Sequence, residues 1–126
     1  MRAEILEQFI SAINRLEEAL KEKKNEYVRD ACIQRFEVTF ELAWKTIKRF
    51  AKQEGMTIVS PKEAFRYAFK HQWIKDEKGW LHIIEARNLT VHTYNQDKAE
   101  YIYDQLEYFL ALFKDLAFNL QEDEKL

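Results

Sequence analysis

The chain has 126 residues, a formal net charge of −2, a single cysteine, two glycines and one proline. That length suits one domain over residues 1–126 with a core large enough to fold without a disulfide or metal staple, and the charge balance excludes a broad basic coat for nucleic acid. The lone Cys32 has no intramolecular partner and points to a reducing, cytoplasmic setting. The N-terminus lacks a signal-peptide pattern, and no apolar run approaches the roughly 20 residues of a membrane span, so no membrane is expected as a partner.

Periodicity is helical nearly throughout. Ile5, Phe9, Ile13, Leu16 and Leu20 share one face of a first helix over about 2–23, and Lys23–Asn25 forms a polar link. A second helix over about 26–54 buries Val28, Cys32, Phe36, Phe40, Ala43, Trp44, Ile47 and Ala51, and Gly55 is its stop signal. Ser60-Pro61-Lys62-Glu63 reads as a capped start, with Pro61 at the first helical position, for a short helix over about 61–71. Lys75–Gly79 reads as a polar turn, and a fourth helix starts near Trp80 and carries Leu81, Ile84 and the Arg87–His92 run. Asn95 is the expected cap of a last helix over about 96–121, followed by a frayed acidic tail at Glu122-Asp123-Glu124. That helix is apolar on more than one face, which calls for two packing neighbours or a second subunit. The architecture expected is all-α: an antiparallel up-and-down four-helix bundle with an additional short helix.

The chemistry concentrates in Arg87-Asn88-Leu89-Thr90-Val91-His92-Thr93-Tyr94. Arginine brings a permanent cation for phosphate, histidine an imidazole able to trade protons near neutrality, and tyrosine a hydroxyl. The charge balance is +2 over 55–95 and −5 over 96–126, so an RNA contact should be local to this run. On a continuous helix Asn88 and His92 share a face, whereas Arg87 and His92 point about 140° apart. One phosphate can meet both only if the helix ends or bends between them, or if two copies of the chain contribute one group each. Metal-free RNA cleavage favours the second arrangement, because one proton must leave the 2′-hydroxyl, another must reach the 5′-oxygen, and the phosphate needs positive charge.

Arg87-Asn88-Leu89-Thr90-Val91-His92 resembles the arginine-polar-x3-histidine signature of HEPN domains, and Thr93-Tyr94 extends it to the form seen in HepT-type toxins. Val28-Arg29-Asp30, Ile33-Gln34-Arg35-Phe36-Glu37, Phe40-Glu41-Leu42-Ala43-Trp44-Lys45, Ser60-Pro61-Lys62-Glu63 and Ala86-Arg87-Asn88-Leu89-Thr90 are similar to the nucleotidyltransferase substrate-binding proteins, over roughly residues 5–120. The resemblance implies a helical homodimer paired with a separate, cognate minimal nucleotidyltransferase. In HepT-like systems the bundle is a metal-independent ribonuclease toxin, with Arg87 and His92 as its matching groups here. The antitoxin partner would transfer AMP to Tyr94. The other branch implies a non-catalytic substrate-binding or docking subunit, with RNA or a nucleotide as ligand in either case.

Asn88 is expected to orient His92 from one turn away, and Arg35 and Glu41 to support the site, with Glu41 one turn from Glu37 and able to fix Arg35 or Lys45. Trp44, Trp73 and Trp80 read as core or interface aromatics. His71, His82 and His92 have no zinc-ligand spacing, and no cofactor is called for. No glycine-rich phosphate loop or paired-aspartate signature is present, so the chain is not itself the nucleotidyltransferase.

Overall fold

The computed structural model describes residues 2–125. Five α-helices follow one another as α1 (Arg2–Leu20), α2 (Glu26–Gln53), α3 (Pro61–Lys70), α4 (Glu77–Leu89) and α5 (Gln96–Glu124), with a 3-10 turn at Thr90–His92 before the last. Thr39 donates from Oγ1 to the Ala12 carbonyl and Arg35 to the Arg15 carbonyl, a register that runs α2 antiparallel to α1. Arg29 meets Glu100 and Phe36 stacks on Phe109, so α5 runs alongside α2 in the same sense. Trp80 packs edge-on to Phe113 while Arg87 reaches back to α2, which makes α4 the fourth, antiparallel member. The up-and-down bundle expected from periodicity is what forms, with α3 lying against α2 and α4.

The core is built on aromatics. Phe36 and Phe109 stack at 5.5 Å, Phe9 meets Phe113 edge-on at 6.2 Å, and Phe65 bridges Phe40 at 5.7 Å and Trp80 at 4.8 Å. Pairs of this geometry add to the area they bury. α5 touches α1, α2 and α4. Its buried set runs Ala99, Ile102, Leu106, Phe109, Leu110, Leu112, Phe113, Leu116, Ala117 and Leu120. Most of its apolar face is thus covered inside one chain, while Tyr101, Tyr108 and Phe118 of the same helix stay exposed.

Several boundaries differ from the sequence expectation, each for a local reason. α1 ends at Leu20 because Lys21–Asn25 is wholly polar and Asn25 already caps α2, accepting from Val28 N at 2.8 Å. α4 starts at Glu77 rather than near Trp80: Asp76 caps it through Gly79 N at 2.9 Å, and Gly79 is buried in the first turn. A Cβ at Gly79 would fall 2.5 Å from Tyr108 Oη and 2.7 Å from Leu112 Cδ1, so the glycine permits close approach to α5 and is not a turn residue. The acidic tail does not fray. α5 continues to Glu124, and Arg2 pairs with Asp123 at 3.2 Å and Glu124 at 3.1 Å while its guanidinium lies 4.1 Å from the Phe50 ring centroid. On α3, Phe65 is buried while Phe69, one turn further on, is 42% exposed.

Candidate functional site

α4 stops between Arg87 and His92, and the sequence there explains why. Thr90, Val91 and Thr93 are β-branched, and threonine hydroxyls compete for backbone carbonyls. Thr90 donates from Oγ1 to the Arg87 carbonyl at 2.7 Å, Thr93 donates to the Thr90 carbonyl at 3.3 Å, and the Asn95 amide closes on the His92 carbonyl at 3.0 Å. Asn95 then caps α5, accepting from Lys98 N at 3.2 Å. His92 consequently lies outside α4, in the 3-10 turn. The continuous-helix geometry for the Asn88–His92 pair does not apply.

Two pairs form around this break. In the last turn of α4, the Arg87 guanidinium lies 5.9 Å from the Phe40 ring centroid, and its Nη2 is 3.6 Å from Glu41 Oε1. The Arg87 Nε–H is buried and has no hydrogen-bond partner. The other Glu41 oxygen, Oε2, accepts the indole N–H of Trp44 at 3.0 Å and is 3.9 Å from the Lys45 ammonium. Beyond the break, His92 Nδ1 and the Tyr94 hydroxyl are 3.2 Å apart, the ring tautomer setting which of them donates. Their rings meet edge-on at 5.8 Å, and Tyr94 is 79% exposed. No hydrogen bond or ion pair among the described residues joins the Arg87 pair to the His92 pair within one chain.

Of the supporting residues, Glu41 meets Arg87. Arg35 lies on the opposite flank of α2, where its Nη1 donates to the Arg15 carbonyl at 2.6 Å and it lines an open groove against α1 with Gln8, Ser11 and Gln34. Asn88 is exposed, and His92 takes its partner from Tyr94 instead. Sequence reading passed over Trp44 as a polar contributor. Its three-residue spacing from Glu41 on α2 was the available signal. Among the described residues, no group of three or more histidine, cysteine, aspartate or glutamate side chains gathers to hold a metal. Cys32 is a free, buried thiol whose pKa burial pushes up.

Fold and site together define an all-α bundle that sets an arginine, an imidazole and an exposed phenol around the break before its last helix. The chain belongs to the family described as "Nucleotidyltransferase substrate binding protein like", which matches residues 4–122. A Haemophilus influenzae protein named "Probable ribonuclease HepT" is 35% identical over 83 residues, a match spanning 62% of this chain and 57% of that relative, so little more than half of the relative's length is represented. A crystal structure from Thermus thermophilus superposes with a TM-score of 0.82 at 34% identity, covering 89% of this chain and 98% of the other. A second structure, from Haemophilus influenzae and described as revealing the fold of a substrate binding domain of a nucleotidyltransferase, gives 0.81 at 26% identity, with 92% of this chain and 98% of the other covered. No helix among the described residues is long and apolar enough to cross a membrane.

Proposed function

We propose that this chain is the HepT-like HEPN subunit of a two-component toxin–antitoxin system, a metal-independent ribonuclease acting as a cytoplasmic homodimer and controlled by a cognate minimal nucleotidyltransferase. The observation that carries the reading is the exposed Tyr94 hydroxyl beside His92 Nδ1, immediately beyond the break that separates His92 from Arg87. The likeness to a protein named as a probable ribonuclease supports it.

In this reading two copies bring two imidazoles and two guanidiniums to one phosphodiester. One His92 takes the proton of the 2′-hydroxyl as that oxygen bonds to phosphorus. The phosphorus–5′-oxygen bond breaks, the second His92 protonates the departing oxygen, and a 2′,3′-cyclic phosphate remains. Arg87 offsets the charge that builds on the non-bridging oxygens. Asn88, exposed beside Arg87, is an RNA contact rather than the orienter of His92. Control follows from the His92–Tyr94 contact. The Tyr94 oxygen attacks the α-phosphorus of ATP on the partner enzyme, pyrophosphate leaves and the phenol loses its proton. The resulting AMP ester stands against the imidazole, where its bulk and negative charge exclude an RNA phosphate.

The family's description as substrate binding favours one other reading, a docking subunit that presents a nucleotide to the partner and cuts nothing. Intact-mass measurement of the chain expressed alone and with its cognate nucleotidyltransferase, followed by RNA cleavage with each sample, separates the two. AMP-sized increments on Tyr94, with cleavage by the unmodified form only, support the ribonuclease. An unchanged mass and no cleavage, with the two chains still co-purifying, support the docking subunit.

A further inference from the structure

We propose that Trp44 and Glu41 on α2 are a positioning pair that holds the Arg87 guanidinium in one orientation for the incoming phosphate, an assignment that rests on the Arg87/His92 site proposed above. An arginine side chain has many rotamers to lose, and one at a helix end facing solvent presents its charge in many directions. Arg87 is confined on three sides. The Phe40 ring lies 5.9 Å from its Cζ, Glu41 Oε1 lies 3.6 Å from Nη2, and its Nε is shut away from solvent. At 3.6 Å the Glu41 contact acts through charge rather than as a formed hydrogen bond.

The carboxylate can act in this way only because it is itself fixed. Oε2 accepts the Trp44 indole N–H at 3.0 Å, and the indole is wedged half-buried on the same helix with the Lys48 ammonium 5.7 Å from its centroid. Trp44 therefore acts on Arg87 through Glu41 and touches no substrate. The orphaned Nε fits this role. A buried donor left without a partner has a cost, tolerated here because the guanidinium is held for what it will bind rather than for its own satisfaction. Lys45, 3.9 Å from Oε2, pulls on the same carboxylate, and the indole bond keeps Oε1 turned to Arg87.

Two readouts test the pair. The first is independent of cleavage: the heteronuclear NOE of the Arg87 Nε–H in 15N-labelled protein, whose proton is shielded from exchange by burial. A rigid signal is expected in the native chain, and a mobile one in both Trp44→Phe, which removes the indole donor but keeps an aromatic ring, and Glu41→Gln, which removes the charge and one of the two acceptor oxygens. Unchanged rigidity in both variants overturns the proposal, as does an Arg87 signal that is mobile in the native chain. The second is a double-mutant cycle on RNA cleavage. Glu41→Gln is expected to lower kcat about tenfold with KM little changed in the native background, and to have no further effect in Arg87→Lys. An equal loss in both backgrounds marks Glu41 as merely structural and overturns the assignment. If the native chain cuts no RNA, the ribonuclease reading fails while the NOE result still decides the positioning pair.

Discussion

Two helix junctions solve the same problem with different chemistry. Between α2 and α3 the chain stops at Gly55, whose φ of +87° closes the helix with the Gly55 amide on the Lys52 carbonyl and the Met56 amide on that of Ala51. It restarts at Ser60-Pro61, where Ser60 Oγ accepts from Glu63 N at 3.2 Å and the Glu63 carboxylate reaches back to Val59 N at 3.4 Å. Between α4 and α5 there is neither glycine nor proline. Threonine hydroxyls and an asparagine cap break the helix, leaving an imidazole and a phenol at the turn. A junction made by backbone permissiveness is mute, whereas one made by side-chain hydrogen bonds keeps polar groups in place where a ligand can reach them.

The largest effect that separates the junctions is chemical. His92→Ala is expected to lower RNA cleavage by about 10²–10⁴-fold, the usual worth of a positioned acid–base group, and to relieve growth arrest when the chain is expressed without its partner. Its urea midpoint should stay unchanged, since His92 is only half-buried and its side-chain bond is to an exposed tyrosine. Toxicity that survives the substitution would remove His92 from the mechanism.

Next in size is a packing effect at the start of α4. Gly79→Ala places a methyl 2.5 Å from Tyr108 Oη, 2.6 Å from Asp76 Oδ2 and 2.7 Å from Leu112 Cδ1. Over-packing of this kind costs about 1–3 kcal/mol, and urea denaturation should read it as a lowered midpoint with an unchanged slope. An unaffected midpoint would mean that α4 and α5 part more easily than their contact distance suggests.

At the junctions themselves the effects are smaller and differ in kind. Gly55→Ala forces a side chain into left-handed backbone and should cost about 1–2 kcal/mol, with cleavage by the surviving folded protein unchanged. Thr90→Val keeps the shape of a buried side chain but loses the bond to the Arg87 carbonyl, for about 1 kcal/mol. It should also lower cleavage, because that bond helps end α4 before His92, and Thr90→Ser should restore both. If Thr90→Val proves as silent in cleavage as Gly55→Ala, the contrast between the junctions is one of composition only.

The same contrast shows what could be read from the sequence. Gly55 and Ser60-Pro61 announce a stop and a start by residue type alone, and the apolar periodicity of α1, α2 and α5 fixes their faces without knowledge of neighbours. The residue types of the Arg87–Tyr94 run are equally plain in the sequence. Its geometry was less legible, because whether Thr90 continues or breaks a helix depends on which carbonyl its hydroxyl finds. Trp44 was hidden for a related reason: an indole on an apolar helix face reads as core, and only the folded chain shows its N–H turned to Glu41. Gly79 looked like a turn because its use, close contact with a helix about thirty residues away, leaves no local mark.

The third junction, between α3 and α4, supplies the smallest and most specific effect. Asp76 accepts the Tyr108 hydroxyl and, through Oδ1, the Gly79 amide at 2.9 Å, and these bonds, the tyrosine's first, hold its carboxyl below its ordinary value of 3.8. A carboxylate whose folded pKa is depressed contributes stability that is fully present above its unfolded value, and loses it as pH falls through the folded one. The native chain should therefore lose this contribution as pH drops below about 4. Asp76→Asn, which keeps a capping oxygen but has no charge to titrate, should start from lower stability at neutral pH and fall less steeply in acid. Thermal unfolding of both proteins between neutral pH and about pH 3 reads the difference directly. Parallel curves would assign the junction's stability to capping geometry alone, and would align it with the Gly55 junction, where backbone geometry rather than charge closes the helix.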